Sequence, residues 1–385
     1  MITRYDVIVV GVGTMGASAC YHLAGRGVRV LGIERFGIPH DRGAHHGHSR
    51  AIRKAYFEHP DYVPLIERAY ENWARLEADS GRKLIHHVGG LYLGPADSEA
   101  IAGSLKVMKR HVLPYELLDV EQVRKRYPMF RPRDDFVGLV EPSAGFILPE
   151  SAVATLAEQA LRRGAQLHGH ERVLRWSADN GSAVTVETDR DAYECDRVIF
   201  CGGAWTTMLM ANQSQHQWQP PVRVTRQITA WVWPRKPDLF TLGTFPIWLI
   251  DIGQGGIHYG IPMTPDRPGF KVALHLPASP TDPDAVAREP MPGDEDTFRP
   301  ILRQFIPDAD GPLLSMGVCM YTNSPDGHFI IDKHPIHDRV IVACGFSGHG
   351  FKFASVVGEA LADMATAGKT ELPIGFLGLS RFGAS

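Results

Sequence analysis

A basic cluster between positions 43 and 59, GAHHGHSRAIRKAYFEH, concentrates side chains that could do chemistry. Three histidines within four residues would permit a metal site, but no nearby carboxylate–cysteine set completes one, so we expect no metal. A solvated basic loop is a second interpretation. We prefer a third, a loop at a buried site in which an arginine holds a substrate carboxylate through two hydrogen bonds. The side chains concerned are His45, His46, His48, Arg50, Arg53 and Glu58.

Two further stretches carry cations beside histidines. KVALH places Lys271 and His275 four residues apart on an expected strand, hence on one face. A solvent-facing stripe is the alternative for this pair. SGHGFKFAS places His349 and Lys352 beside a glycine loop, where a surface cap is the alternative.

An isolated cysteine, Cys319, lies in GVCMYTNSPDGHFIID. A buried core thiol is the ordinary explanation for such a residue. The chain has 5 cysteines, an odd and scattered set that argues against a disulfide framework. That usage fits a reducing compartment, so we expect a cytoplasmic protein.

The N-terminal segment predicts the element that positions these groups. An apolar strand, Val7–Val10, runs into Gly11, Gly13 and Gly16, the G-x-G-x-x-G spacing of a strand-to-helix turn that binds a pyrophosphate. A second strand, Val28–Ile33, ends in Glu34, which is placed to accept hydrogen bonds from a ribose. The acid favours FAD or NAD over NADP. A signal peptide explains the same residues less well, because Asp6 interrupts its charge pattern.

Later segments complete this element. DRVIFCGGAWTTML and RVIVACGFSGHGFKFASVVGEALADMA each read as a strand, a glycine loop and a helix. A chain that returns to a Rossmann unit at its C-terminus resembles the large FAD-dependent oxidoreductases. The middle alternates like antiparallel strands bounded by Gly and Pro. We therefore expect a mixed α/β fold, a Rossmann-type FAD-binding domain with an inserted antiparallel-sheet substrate domain. The FAD-binding domain would comprise residues 1–85, 146–215 and 326–385, and the substrate domain residues 86–145 and 216–325.

The combined motifs carry a closer resemblance. HHGHSR-AIRKAY, KVALH, CMYTNSPDGHFIID and GFSGHGFKFASVVGE resemble, in order and spacing, the monomeric sarcosine oxidase and N-methyltryptophan oxidase family. The similarity runs essentially end to end. It implies that FAD is bonded covalently through the sulfur of Cys319, which gives that cysteine a role beyond packing.

The resemblance also implies roles for the remaining residues. Arg53 and Lys352 would bind the substrate carboxylate, and Lys271 would activate oxygen. Residues that would line the flavin and substrate pocket are Arg50, Tyr321, His275, His349, Tyr259, Trp248 and Leu249. Further residues implied to contact FAD are Thr14, Met15, His45, Val173, Gly202, Trp205, Gly348, Gly350 and Phe351. His48 departs from the family, which usually has Asp there.

We therefore predict flavin-dependent oxidation of a secondary N-methyl α-amino acid such as sarcosine, with formation of an imine, hydrogen peroxide and formaldehyde. Alternatives are a bulkier or cyclic substrate (N-methyltryptophan, pipecolate or proline), a dehydrogenase that uses a carrier, and a flavoprotein with a binding or tRNA-related role. The formal net charge of −3, without a basic tail, makes nucleic acid an unexpected partner. No apolar run is long enough for a membrane span, and we expect a monomer.

Overall fold

A computed structural model describes residues 2–178, 183–211, 218–253, 256–265 and 267–383. The strands, numbered in chain order, are β1 Thr3–Val10, β2 Val30–Ile33, β3 Arg50–Ile52, β4 Ile85–His87, β5 Gly90–Pro95, β6 Glu116–Leu118, β7 Phe136–Glu141, β8 Gly145–Ile147, β9 Gln166–His168, β10 Val173–Ser177, β11 Val184–Thr188, β12 Ala192–Phe200, β13 Arg223–Val232, β14 Ile247–Asp251, β15 Ile257–Ile261, β16 Phe270–His275, β17 Leu313–Asn323, β18 Ile330–Lys333 and β19 Val340–Cys344. The α-helices are α1 Thr14–Ala24, α2 Tyr62–Ser80, α3 Glu99–Arg110, α4 Val120–Arg126, α5 Pro149–Arg162, α6 Thr206–Ala211, α7 Arg299–Phe305 and α8 Ala354–Ala367.

The first sheet contains both ends of the chain. Its strand order is β10-β11-β12-β1-β2-β9, with β19 paired to β12 and β18 paired to β19. β1 runs parallel to β12 and β2, and its apolar run is buried because α1 and α8 pack over the sheet. These two helices approach closely at Gly358, where a Cβ would lie 2.5 Å from the backbone carbon of Ser18. The predicted Rossmann-type unit is therefore confirmed.

The second sheet forms the wall of the cavity described below. Its order is β17-β13-β16-β15-β14-β5-β7-β6, with antiparallel neighbours except for the parallel pair of β14 and β5. Phe270 and Val272 of β16 pack with α7 in an apolar cluster. Lys271 and His275 alternate with them and therefore point to the opposite face, as the spacing predicted.

A small third sheet has the order β3-β8-β4. β3 begins at Arg50 and leads directly into the segment that contains Arg53, so this sheet positions the basic cluster. None of the helices in the described ranges is both long and apolar enough to cross a membrane.

The mixed α/β class and the antiparallel inserted sheet agree with the sequence prediction. The second strand begins at Val30 instead of Val28. The N-terminal strand lies inside the first sheet with a partner on each side, which agrees with the glycine-fingerprint interpretation. The domain boundaries given above remain a prediction.

Candidate active site

A deep cavity runs from the glycine loop after β1 to the loop before α8. Every residue to which the glycine fingerprint or the family resemblance assigned a role borders it, except Gly16 and Lys271. His46 and His48 of the basic cluster do not border it either. The residues predicted from distant parts of the chain therefore meet in one place. Lining residues that no motif had indicated include His40, Tyr92, Glu171 and Ile257.

The glycine loop leaves room for a phosphate. Gly11 has a φ of 89°, and a Cβ at this position would lie 2.5 Å from the Cys201 carbonyl oxygen. α1 follows at Thr14, and its N-cap residue, Gly13, provides no side-chain cap. The first-turn amides of a helix without a cap are available to an anion, and Gly13, Thr14 and Met15 border the cavity. This end of the cavity fits the pyrophosphate of a dinucleotide.

Glu34 lies next to this loop at the end of β2 and is buried. Its carboxylate accepts hydrogen bonds from the backbone N–H groups of Val12 and Phe36, both at 2.9 Å. Burial by itself would raise the pKa of Glu34, but the neighbouring His40 and these amides hold it below its ordinary value. The ionised, fixed carboxylate fits the ribose-binding role predicted for it.

Cys319 lies on β17 opposite Gln227 of β13 and borders the cavity on the face shared with Tyr321. The thiol is buried, which raises its pKa, while the charges of Arg50 and Lys271 act in the opposite direction. The cysteine is therefore at the cavity wall with two cations near its sulfur.

One pair of cations, the Lys271–Arg50 cluster, is held by backbone carbonyl groups. The Lys271 ammonium is 1% exposed and donates hydrogen bonds to the carbonyl oxygens of Gly47 at 2.8 Å and Ser49 at 2.6 Å. Arg50 donates to Ser49 and Ala44, each at 3.1 Å, and also to His46. Burial, followed by the charge of Arg50, lowers the pKa of Lys271 well below its ordinary value.

A carboxylate that no motif had indicated, Glu150, holds the same loop from its other side. Its Oε1 accepts hydrogen bonds from the backbone N–H of Gly47 at 2.7 Å and of His48 at 3.0 Å. His48 itself is exposed and has a φ of 63°. A carboxylate therefore lies beside residue 48, where the chain has His instead of the Asp that the resemblance implied.

The three histidines of the basic cluster do not converge on one point. His45 is buried beside Gly13, whereas His48 is exposed and packs edge-on against Trp231. Among the described residues, no group of three His, Cys, Asp or Glu side chains is placed to hold a metal ion.

A second pair of cations, the Arg53–Lys352 cluster, lies further along the cavity. Arg53 is 7% exposed and Lys352 is 6% exposed. Arg53 donates to the Ala55 carbonyl, and Lys352 donates to the His349 carbonyl at 2.8 Å. Burial and then the charge of Arg53 lower the pKa of Lys352 to about 7.

The anion of this second cluster is Glu58, which the sequence analysis included in the basic cluster without giving it a role of its own. Its carboxylate lies 2.6 Å from the Arg53 guanidinium. Burial alone would raise the pKa of Glu58, but Arg53, His349 and Lys352 hold it below its ordinary value. Glu58 is therefore ionised at neutral pH. It occupies a position on Arg53 that a ligand carboxylate could take.

Two neutral imidazoles border the cavity near these cations. His275 lies 3.2 Å from the Tyr321 hydroxyl, and His349 contacts the Tyr56 hydroxyl and the Gly327 carbonyl. Burial lowers the pKa of His275 to about 4 and that of His349 to about 3. Both rings are uncharged at neutral pH and provide hydrogen bonds without adding positive charge.

Trp248, which was predicted to line the pocket, borders the cavity, but most of its ring packs elsewhere. Its ring stacks on Phe270 with an interplanar angle of 4° and lies in the apolar cluster on the far face of the sheet. Gly260 leaves space for this indole, since a Cβ there would lie 2.5 Å from the Trp248 Nε1. Leu249, one residue later, faces the opposite side and packs beside Tyr92. Trp248 supports the wall from behind, and Leu249 faces the cavity.

Comparison with known proteins extends over the whole chain. Residues 6–364 match the family described as FAD dependent oxidoreductase (DAO). The monomeric sarcosine oxidase of Streptomyces avermitilis is 40% identical, with 100% of each chain covered. The N-methyl-L-tryptophan oxidase of Salmonella dublin is 34% identical, with 98% of this chain and 99% of that protein covered. Among solved structures, the open form of NikD, an unusual amino acid oxidase essential for nikkomycin biosynthesis, superposes with a TM-score of 0.86 at 25% identity, covering 98% of this chain and 97% of that one.

Proposed function

The chain belongs to the FAD dependent oxidoreductase family, and within it we propose an amine oxidase that converts a secondary α-amino acid such as sarcosine to an imine. The observation that carries the substrate class is the Arg53–Lys352 cluster. Two buried cations are costly unless an anion accompanies them. Glu58, the anion now on Arg53, comes from an irregular segment of the chain and can give way to a substrate carboxylate.

The cavity fits FAD at its other end. The pyrophosphate would lie at the first turn of α1, with the ribose at Glu34. Residues proposed to complete the cofactor site are Gly11, Gly13, Thr14, Met15, Gly16, His45, Val173, Gly202, Trp205, Gly348, Gly350 and Phe351. When bound, FAD supplies the oxidising chemistry: it accepts a hydride equivalent from the carbon next to the amine and returns two electrons to O₂, which forms hydrogen peroxide.

The residues around the substrate position favour a neutral amine. Arg53 and Lys352 add positive charge nearby, which lowers the pKa of a bound amine, and His275 and His349 are uncharged. Tyr259, Tyr321 and Leu249 would enclose the substrate. When the substrate carboxylate is fixed, the N-methyl carbon is also positioned for oxidation. This reaction does not need a strong base. Oxidation at the N-methyl carbon gives an N-methylene imine, which water hydrolyses to formaldehyde and the primary amino acid.

Cys319 is proposed to carry the flavin through a thioether bond. Its position at the cavity wall and the cations beside it support this assignment. Acid-denatured, filtered protein should keep its yellow colour, and Cys319→Ala should release the flavin. Flavin that separates from the denatured wild-type chain would contradict the linkage.

Lys271 is proposed to be the cation that assists oxygen reduction, with Arg50 beside it. Negative charge develops on oxygen as it accepts electrons, and a fixed buried cation stabilises that charge. The carbonyl groups of Gly47 and Ser49 hold the ammonium in place. We further propose that the enzyme is cytoplasmic, because its five cysteines are free thiols. We propose a monomer because the relative from Streptomyces avermitilis is named monomeric sarcosine oxidase.

A peroxide-coupled screen of the purified yellow protein tests the proposal. Sarcosine, other N-methyl amino acids, pipecolate and proline would be compared under air, with dye reduction measured in parallel. We expect peroxide from a secondary amino acid. Similarity to an N-methyl-L-tryptophan oxidase keeps a bulkier substrate as the second candidate, and the same screen distinguishes it. Dye reduction without peroxide would indicate a dehydrogenase, and no turnover would contradict the proposal.

A further inference from the structure

Glu141, the last residue of β7, is a buried carboxylate that no motif indicated. It is 1% exposed and accepts four hydrogen bonds from neutral donors. Two come from the backbone N–H groups of Lys54 at 2.6 Å and Ala55 at 3.1 Å. The others come from the Tyr92 hydroxyl at 2.7 Å and the Ser143 hydroxyl at 2.8 Å. A buried carboxylate is stable only when hydrogen-bond donors surround it, and the four donors meet this requirement for Glu141.

The sheet topology explains why the Glu141 side chain lies beside the segment that contains Arg53. β3 and β8 are antiparallel, with Ile52 opposite Gly145. The chain that leaves β3 therefore runs beside the chain that enters β8, and Glu141 lies just before that entry. Residues 53–58, which follow β3, lie in neither a helix nor a strand. Without a regular ladder of hydrogen bonds, this segment depends on other acceptors for its backbone N–H groups.

Ala55 links the carboxylate to the substrate-binding arginine. Its N–H donates to Glu141, and its carbonyl accepts from the Arg53 guanidinium. Moving the Ala55 backbone would therefore move the acceptor that orients Arg53. Tyr92, which also donates to Glu141, borders the cavity. Glu141 thus fixes the Ala55 backbone, which orients Arg53, and the Tyr92 side chain, which forms part of the cavity wall.

We propose that Glu141 is a positioning residue that sets selectivity for carboxylate-bearing substrates by fixing the segment that carries Arg53. This inference rests on the proposed function, in which Arg53 binds the substrate carboxylate. Glu141 makes no contact with substrate in this account. Its effect reaches the substrate through the Ala55 backbone and the Tyr92 hydroxyl.

The chain offers a matched control for a purely structural role. Glu77 also accepts two backbone hydrogen bonds, from Leu84 at 2.6 Å and Ile85 at 2.9 Å, but it does not border the described cavity. Glu77→Gln and Glu141→Gln each replace one carboxylate oxygen by an amide nitrogen, which cannot accept a hydrogen bond. Both backbone amides at Glu77 donate to one oxygen, which glutamine retains, whereas both oxygens of Glu141 accept, so glutamine there must lose acceptors. Only Glu141→Gln should change carboxylate binding.

The test uses the flavin-containing enzyme and acetate as the probe, with binding followed by perturbation of the flavin absorption spectrum. Glu141→Gln should raise the acetate dissociation constant and the KM for sarcosine about tenfold, with a much smaller change in kcat. Glu77→Gln should leave both constants unchanged. Acetate affinity in Glu141→Gln equal to that of the wild type would overturn the inference.

Failure of the proposed function gives a different result. If wild-type enzyme does not bind acetate, or if Arg53→Met binds it equally well, the carboxylate site itself is wrong. Should Glu141→Gln not fold, Glu141→Asp retains the charge but withdraws the carboxylate by one methylene. That variant should also weaken acetate binding. Wild-type affinity in Glu141→Asp would overturn the inference in the same way.

Discussion

Two pairs of cations lie near one cavity, and their partners differ. The Lys271–Arg50 cluster is held by the carbonyl groups of a loop that Glu150 fixes from the amide side. The Arg53–Lys352 cluster instead has an ionised side chain, Glu58, on its arginine. Backbone carbonyls of a fixed loop cannot leave, whereas a side chain can rotate away. The first cluster thus holds its cations in fixed positions, and the second is suited to exchange of anions.

Removal of the fixed Lys271 ammonium group gives the largest expected effect. Lys271→Met should slow reoxidation of the reduced flavin by air several hundredfold, because a barrier higher by roughly 3–4 kcal/mol has that consequence. Anaerobic reduction by substrate should change far less. Stopped-flow absorbance separates these two half-reactions.

Lys236→Met is the control for this experiment, because that lysine is paired with Asp308 at the surface. It should reoxidise at the wild-type rate. Equal reoxidation in Lys271→Met would assign the role to another cation, with Arg50 as the first to replace.

Replacing Arg53, which we propose binds the substrate carboxylate, should give the next largest effect. Arg53→Met should raise the dissociation constant for a carboxylate ligand about a hundredfold, since each charged hydrogen bond contributes roughly 1.5–3 kcal/mol. Selectivity for sarcosine over dimethylamine, which lacks only the carboxylate, should fall with it. Steady-state comparison of the two amines measures this change, and unchanged selectivity would contradict the assignment.

The pH dependence of ligand binding should report the charge of Lys352 in the Arg53–Lys352 cluster. Lys352, whose pKa is lowered to about 7, is protonated below that pH and neutral above it. Acetate affinity should therefore fall about tenfold between pH 6 and pH 8 as the attractive charge is lost. Titrations at each pH measure the trend. Lys352→Met should remove the dependence, and a wild-type affinity that rises with pH would contradict this account.

Neutralising the resident anion should have the smallest effect and the opposite sign. Glu58→Gln should strengthen acetate binding about threefold to tenfold, because an amide competes less well than a carboxylate for Arg53. Asp310→Asn is a control of similar burial, since Asp310 pairs with Arg299 at 2.7 Å away from the cavity lining. Weaker acetate binding in Glu58→Gln would show that Glu58 supports the site instead of competing for it.

Sequence patterns predicted the parts of the site that depend on local regularity. Gly11, Gly13 and Glu34 follow from a fingerprint within one βαβ unit, and strand alternation placed Lys271 and His275 on one face. Alternation also separates Trp248 from Leu249, but it does not indicate which of the two faces the cavity. That choice depends on the packing of Trp248 against Phe270, a contact made through the tertiary fold.

The carboxylates were harder to predict. Glu58 lies five residues from Arg53, in a segment without helical or strand periodicity, so its contact has no pattern. Glu141 and Glu150 contact backbone amides 87 and 102 residues away, at Lys54 and His48. Backbone partners leave no trace in the residue types, and these contacts became visible only in the folded chain.

Anaerobic mixing of the oxidised flavoprotein with sarcosine or dimethylamine tests the central claim most directly, because the two amines differ only in the carboxylate. The account predicts that sarcosine, or another secondary α-amino acid used in its place, bleaches the flavin absorption while its carboxylate-free counterpart at equal concentration leaves it oxidised. Equal bleaching by both members of such a pair would contradict recognition through the Arg53–Lys352 cluster. Failure of every secondary amino acid to bleach the flavin would contradict the proposed reaction.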